Sequence, residues 1–180
     1  MSKYVYFTRH GRTVWNEENK ICGATDSPLT ELGIEQAKEL GEKILSERLH
    51  IDEIISSPLS RAYDTAKIVG EVAGIPVRIE ERLIEQNFGK WEGTPRNGVD
   101  FQAAKQHFVD SYEGGESMLK LAQRIYNILD EIKNDPSDKV YLLAAHNGIA
   151  RIVKSYFHDM TNEEFAAFGI KNCEIVRFDF

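Results

Sequence analysis

Arg9, His10, Gly11 and Arg12 follow the short apolar run Tyr4–Phe7 and set two guanidinium groups around one imidazole. A second run, Asp52–Ser56, leads into Ser57-Pro58-Leu59-Ser60-Arg61, and a third, Val140–Ala145, ends in His146-Asn147-Gly148. A neutral imidazole presents a nitrogen lone pair near neutral pH, because its unperturbed pKa is about 6.5. Planar guanidinium forks hold oxyanions bidentately, and the free N–H groups of a helix opening at Asn147-Gly148 add an anion site. Taken singly, each cluster has a bland alternative: Arg9 and Arg12 as loop surface charges, His146 as a structural residue at a strand end, Arg61 as a solvated helix residue. Their convergence on three separate run ends favours a site. Two histidines also suggest a metal, but no His-x-x-x-His pair or carboxylate spacing completes a ligand set, so neither a metal nor another cofactor is expected. His50, His107 and His158 lack such companions and read as surface residues.

These groups need elements to position them. Strands are expected over Tyr4–Phe7, Asp52–Ser56, Val77–Ile79, Val140–Ala145 and Glu174–Phe178; the fourth is apolar without alternation, as in a central strand covered on both faces. Thr30 to Glu47 places Ile34, Ala37, Leu40, Gly41, Ile44 and Leu45 on one helical face behind Thr30 as N-cap. Ser117 to Lys133 does the same with Leu121, Ile125, Ile128, Leu129 and Ile132, and shorter helices are expected over Pro58–Ala73, Phe101–Val109 and Ile149–Phe157. Strands separated by helices imply an α/β three-layer sandwich, a mainly parallel central sheet with helices on both faces. Ligands then bind at the carboxyl ends of the strands, where His10 and His146 fall. With Ser57 as N-cap and Pro58 as the first helical residue, Arg61 lies in a first turn, where a cation opposes the helix dipole unless an anion stands nearby.

Composition narrows the partners. The chain has 180 residues, 42% of them hydrophobic, enough for one core, and no linker or repeat divides it, so residues 1–180 read as a single domain. Twenty-two Lys and Arg against 29 Asp and Glu give a net charge of −7, which argues against nucleic acid and anionic membrane as partners. An anion must therefore be held by a local cluster. No membrane span or signal peptide is evident, and Cys22 and Cys173 read as free thiols, so a cytoplasmic protein is expected.

The motifs in order resemble the histidine phosphatase superfamily, also called the phosphoglycerate mutase-like family, over nearly the whole chain. "TRHGRTVWN" resembles its Arg-His-Gly signature, "GATDSPLTELGIEQA" its Gly, Asp-x-x-Leu-Thr, Gly and Gln-Ala landmarks, and "SSPLSRAYDTA" its second-arginine motif. "RLIEQNFGKWEG" is similar to its acidic motif, "GGES" to a loop of its phosphatase members, and "AAHNG" to its second-histidine motif. The resemblance implies that His10 is the nucleophile and is transiently phosphorylated, with Arg9, Arg61 and His146 around the phosphoryl group and Asn16 adding a hydrogen bond. Gly11, Arg12 and Asn147 are counted with Asn16 among the substrate contacts. Glu85 would protonate the leaving oxygen, provided burial and neighbouring negative charge favour its acid form. By position alone Glu80, Glu81, Glu85 and Glu92 are equal candidates, each read plainly as a solvated acid; the resemblance selects Glu85. Phe88 and Trp91 are expected to pack the loop, and Lys90 to face solvent.

The sequence departs from the family pattern at Arg12, where Glu or Gln is usual, and at Asn147, where Gly is common. Arg12 is expected either to line the approach and favour substrates with a second anion, or to pair with Glu116 or another loop acid. The implied activity is a metal-independent phosphomonoesterase acting on a small phosphorylated metabolite. The alternatives are a cofactor-dependent phosphoglycerate mutase and a non-catalytic phospho-ligand module. The family's mutases carry a longer insertion after the acidic motif; here Gly93–Gly115 is short, with Arg96 and Lys105 as its cations, and an open site admitting water is expected.

Overall fold

The computed structural model describes residues 3–180. Five strands, β1 (Tyr4–Arg9), β2 (Glu53–Ser56), β3 (Val77–Ile79), β4 (Tyr141–Ala145) and β5 (Ile175–Asp179), form one sheet in the order β3-β2-β4-β1-β5. The first four neighbours are parallel, and β5 pairs antiparallel to β1 at the edge. Among the described residues seven α-helices accompany them: α1 (Val14–Glu17), α2 (Glu31–Ser46), α3 (Ser60–Ala73), α4 (Val99–Ala104), α5 (Met118–Asn134), α6 (Asn147–Phe157) and α7 (Asn162–Ala167).

Successive strand residues face opposite sides, and both sides are apolar. Val5 and Phe7 of β1, with Leu143 of β4, pack under Leu121, Ile125 and Leu129 of α5 and Ile149 and Val153 of α6. Tyr6 and Leu142 point the other way, against Ala37, Leu40 and Ile44 of α2 and Ala66 and Val69 of α3. These two cores make the three layers. A third cluster, Ile21, Phe88, Phe101 and Tyr112, lies apart from them, with Trp91 packed against it.

The expected strands and long helices are present, Val77–Ile79 with the expected bounds and the others with shifted ends. α3 begins at Ser60, not Pro58, and its N-cap is Leu59, with no side-chain bond; the Ser57 hydroxyl accepts the Leu59 N–H at 3.3 Å but is engaged chiefly elsewhere. The helix expected over Phe101–Val109 runs only from Val99 to Ala104. Phe101 is buried in the third cluster while Phe108 packs against the α5–α6 core, and the two anchors pull the chain out of helical path. The short α1 and α7 carry no long apolar periodicity; each is fixed by a capping box, from Thr13 and Thr161.

Candidate active site

His10, His146 and Ser57 are each the first residue beyond one of three adjacent strands. The register sets Arg9 opposite Ala145 and Ser56 opposite Ala144, and the ladders continue one step as His10 N–H donates to Ala145 O and Ser57 N–H to Ala144 O, both at 3.0 Å. The imidazoles of His10 and His146 consequently lie with ring centroids 5.3 Å apart. His10 Nδ1 is 2.7 Å from Gly11 O; a carbonyl only accepts, so Nδ1 carries the hydrogen and Nε2 the lone pair. His10 is 5% exposed, and burial first, then the charges of Arg61 and Arg9, hold its pKa well below the ordinary value. It is a neutral imidazole with its lone pair on Nε2. His146 is depressed likewise, by burial and then Arg61; its Nε2 meets Ser57 Oγ at 2.7 Å, and its buried Nδ1 has no partner among the described residues.

Arg61 is fully buried, and both its terminal nitrogens are engaged. Nη1 donates to Thr25 O at 2.9 Å and Asp26 Oδ1 at 3.2 Å; Nη2 donates to Gly23 O at 2.6 Å and Cys22 O at 3.4 Å. Only Nε lacks a partner. A guanidinium has five N–H groups, so Arg61 can offer an anion one without releasing this loop. The Arg61 fork holds residues 22–26 and does not stand free for the expected bidentate clamp, and its charge acts on His10. Asp26 is the anion that a first-turn arginine calls for. Its Oδ2 accepts the Ser60 N–H at 2.6 Å, at the start of α3. Burial acts upward on Asp26, but the bonds from Ser60 and Ser27 and the charge of Arg61 outweigh it and hold its pKa below the usual value. Glu92 fastens the same loop from the other side, accepting from Gly23 N–H at 3.0 Å, Ala24 N–H at 3.1 Å and Phe88 N–H at 2.9 Å.

Of the four acids near this region, Glu85 alone lines the cavity above His10. Glu92 is occupied as described, Glu80 is paired to Arg82 at 2.9 Å, and Glu81 is exposed. Glu85 is 5% exposed; Oε1 accepts the Gln86 N–H and Oε2 the Gly148 N–H, both at 2.9 Å. Its neighbours are not the negative charges expected. They are N–H donors and cations.

Arg9, Asn16 and Asn147 also line the cavity. Arg9 keeps Nη1 on Ile170 O at 3.1 Å and leaves Nε buried without a partner; burial, then Arg96, lowers its pKa to about 10. Asn16 Oδ1 accepts from Thr13 N–H at 3.2 Å and Asn172 Nδ2 at 3.4 Å, which leaves its own amide hydrogens for an anion. Asn147 Oδ1 accepts the Ile170 N–H at 3.0 Å.

Of the expected site residues, Arg61, His146, Gly11 and Arg12 are not among those lining the cavity. Gly11 N–H is engaged by Thr65 Oγ1 at 3.0 Å, and a Cβ at Gly11 would lie 2.4 Å from Gly33 O; the glycine permits close approach of α2. The Arg12 guanidinium lies 3.4 Å from Glu17, while Glu116 pairs with Arg124 at 2.8 Å. Of the two expectations for Arg12, pairing with an acid matches its position, with α1 supplying the acid.

The cavity wall is completed by Ile21, Cys22, Phe88, Phe101, Arg96, Lys105 and Arg151. Phe88 both packs the third cluster and faces the cavity. The short Gly93–Gly115 segment covers the site more than expected, since Arg96, Phe101 and Lys105 come from it. Arg151 escaped the sequence reading although its signal was present: it stands four residues after Asn147 in α6, one turn along the same face. Burial lowers the pKa of Cys22 thiolate formation not at all but raises it, to about 11, so Cys22 faces the cavity as a thiol. Among the described residues no group of three or more His, Cys, Asp or Glu side chains is placed to hold a metal ion.

The sequence model of the histidine phosphatase superfamily (branch 1) matches residues 5–180, and the chain belongs to that family. A probable phosphoglycerate mutase, GpmB, of Yersinia pestis is 32% identical over 98% of this chain and 84% of its own length. Among solved structures, a mycobacterial glucosyl-3-phosphoglycerate phosphatase in complex with VO3 superposes with a TM-score of 0.81 at 28% identity, covering 98% of this chain and 92% of its own. A putative α-ribazole-5'-P phosphatase from Escherichia coli shares the fold, with a TM-score of 0.84 at 24% identity over 99% and 91% of the two chains.

Proposed function

We propose that the chain is a metal-independent phosphomonoesterase that hydrolyses a small phosphorylated metabolite through a phosphohistidine on His10. The observation that carries this reading is the His10 tautomer: its Nδ1–H is held by Gly11 O, and a neutral Nε2 is left beside the guanidinium of Arg9 and the charge of Arg61. In the first step Nε2 attacks phosphorus, and the bond from phosphorus to the ester oxygen breaks. Arg9, the Arg61 Nε–H and the Asn16 amide stabilise the charge on the equatorial oxygens. Glu85 passes a proton to the leaving alkoxide. In the second step water attacks the phosphohistidine, Glu85 takes its proton, and the N–P bond breaks to release inorganic phosphate. The phosphatases among the structural relatives support hydrolysis, and the chain's acidic balance and two unpaired thiols accord with a cytoplasmic setting.

The test is native or alkaline-quench mass spectrometry during turnover of an aryl phosphate, since phosphohistidine is acid-labile. A single added phosphoryl group on His10 and release of inorganic phosphate are expected. A fully active His10→Ala enzyme overturns the nucleophile assignment. Retention of the phosphoryl group until a phosphoglycerate accepts it, with no phosphate released, replaces hydrolysis by the mutase reading that the 32% relative's name suggests.

A further inference from the structure

Asn147 is one of the two positions at which the chain departs from the family pattern, and the reaction described above gives its side chain no part. It is the first residue of α6, half-buried, and its amide oxygen accepts the Ile170 N–H at 3.0 Å. Ile170 belongs to residues 168–173, the segment that joins α7 to β5, and this segment is tied to the site at several further points. Phe168 O accepts from Arg151 Nε at 2.8 Å, Ile170 O accepts from Arg9 Nη1 at 3.1 Å, and Asn172 Nδ2 donates to His10 O at 2.8 Å. Beyond them the Cys173 N–H donates to Arg9 O at 2.9 Å.

The two arginines assigned to the phosphoryl group are held very differently. Arg61 is locked by four acceptors. Arg9 has one: among the described residues its only side-chain hydrogen bond is the one to Ile170 O. That bond takes Nη1, the nitrogen on the Cδ side of the fork. The Nε–H, buried without a partner, and Nη2 form the opposite edge and remain side by side for an oxyanion. A guanidinium on a flexible stem with a single tether takes its aim from that tether.

The Ile170 carbonyl is itself held from two sides. The Ile170 side chain is 6% exposed and packs in the α5–α6 core, which fixes where the segment lies but does not by itself orient the peptide units around it. Asn147 holds the peptide unit before Ile170, and Asn172 and Cys173 hold the chain after it. Gly169 gives the amide room, since a Cβ there would lie 3.1 Å from both Asn147 Oδ1 and Nδ2. A glycine at position 147 would offer the Ile170 N–H no side-chain acceptor.

From this arrangement we infer that Asn147 is a positioning residue for Arg9, acting through Ile170 to aim the guanidinium edge at the phosphoryl group. The inference deepens the proposed reaction and rests on its assignment of Arg9, not on the later fate of the phosphoryl group. It replaces the direct substrate contact expected of Asn147 by an indirect one.

The experiment measures binding of orthovanadate by calorimetry, which needs no turnover, in a cycle of Asn147→Ala and Arg9→Met. Alanine is the best tolerated residue in a helix, and methionine fills the space of Arg9 without its donors. Asn147→Ala alone should weaken vanadate by about tenfold, equivalent to about 1.4 kcal/mol. In the Arg9→Met background the same substitution should change binding by about twofold or less, because the residue through which Asn147 acts is gone. An equal loss in both backgrounds means that Asn147 meets the anion itself and overturns the inference. A second arm follows the Arg9 Nε–H resonance of the unliganded protein by NMR, assigned by its absence from Arg9→Met. It should shift and exchange faster with water in Asn147→Ala, and an Arg9 signal unchanged by that substitution overturns the inference whether or not vanadate binds. A wild-type protein that binds no vanadate counts against the phosphoryl site and the proposed reaction, and the resonance comparison still decides the tether.

Discussion

Glu85 occupies the space that a side chain at position 148 would fill. The Gly148 N–H donates to Glu85 Oε2 at 2.9 Å, and a Cβ on Gly148 would stand 2.5 Å from Oε1. The glycine that opens α6 is therefore a condition for the acid's position, and the helix start in turn receives a carboxylate at its positive end. Gly148→Ala is expected to displace the carboxylate while leaving the fold intact, because the obstructing atoms are the end of a side chain. A misplacement near 1 Å costs about a hundredfold in turnover. Activity and melting temperature measured on the same preparation decide the point: turnover within twofold of wild type would show that the placement of Glu85 does not matter.

Glu85→Gln should discriminate among leaving groups. A departing alkoxide needs a proton in the transition state and a nitrophenolate scarcely does, so the loss should approach the about 10²–10⁴-fold typical of general acid catalysis for alkyl phosphates and be much smaller for aryl ones. The measurement is the ratio of variant to wild-type kcat/KM for each class. Equal losses would make Glu85 a structural residue holding Gln86 and Gly148.

What the sequence made legible follows a physical division. Strand ends were readable because β1 and β4 are continuous apolar runs, and whatever follows such a run in a parallel sheet lies at its carboxyl edge; His10 and His146 were found that way. Glu85 needed the family resemblance, since Glu80, Glu81 and Glu92 share its surroundings in sequence and differ only in what they meet in space. The engagement of Arg61 by four acceptors was hidden because those acceptors are mostly backbone carbonyls of residues 22–25, to which sequence pattern is blind. Lys105 and Arg151 come from segments far apart in the chain, and only the fold brings them to one cavity.

Stability should fall in mild acid. His10 and His146 are both held below their ordinary pKa in the folded protein, so as pH drops through about 6.5 the unfolded chain takes up protons that the folded one refuses. Their contribution is intact above that pH and lost below it, at up to about 1.4 kcal/mol per histidine per pH unit. Urea unfolding at pH 7.5 and 5.5 should show the decline. NMR of the imidazole nitrogens should show these two rings still neutral at pH 5.5, and protonation of either one at that pH in the folded protein would contradict the assignment.

The last prediction concerns Arg61→Lys, a substitution that keeps the charge and removes the fork. An ammonium has three hydrogens from one point and cannot reach Cys22 O, Gly23 O, Thr25 O and Asp26 together, so at least one buried acceptor loses its donor. Each such orphan costs about 1–3 kcal/mol. The melting temperature should fall by about 4–8 °C, taking 2 kcal/mol at about 2–4 °C per kcal/mol for a chain of this size. Turnover should fall as well, because the loop of residues 22–26 carries Cys22 on the cavity wall and Asp26 at the start of α3. The two effects can be separated with Glu92→Gln, which weakens the same loop from its other side without touching the charge that acts on His10. If Arg61→Lys loses activity and keeps wild-type stability, the guanidinium acts directly on the substrate and the brace is secondary. If it loses stability and Glu92→Gln reproduces its kinetic defect, the brace accounts for the requirement for arginine.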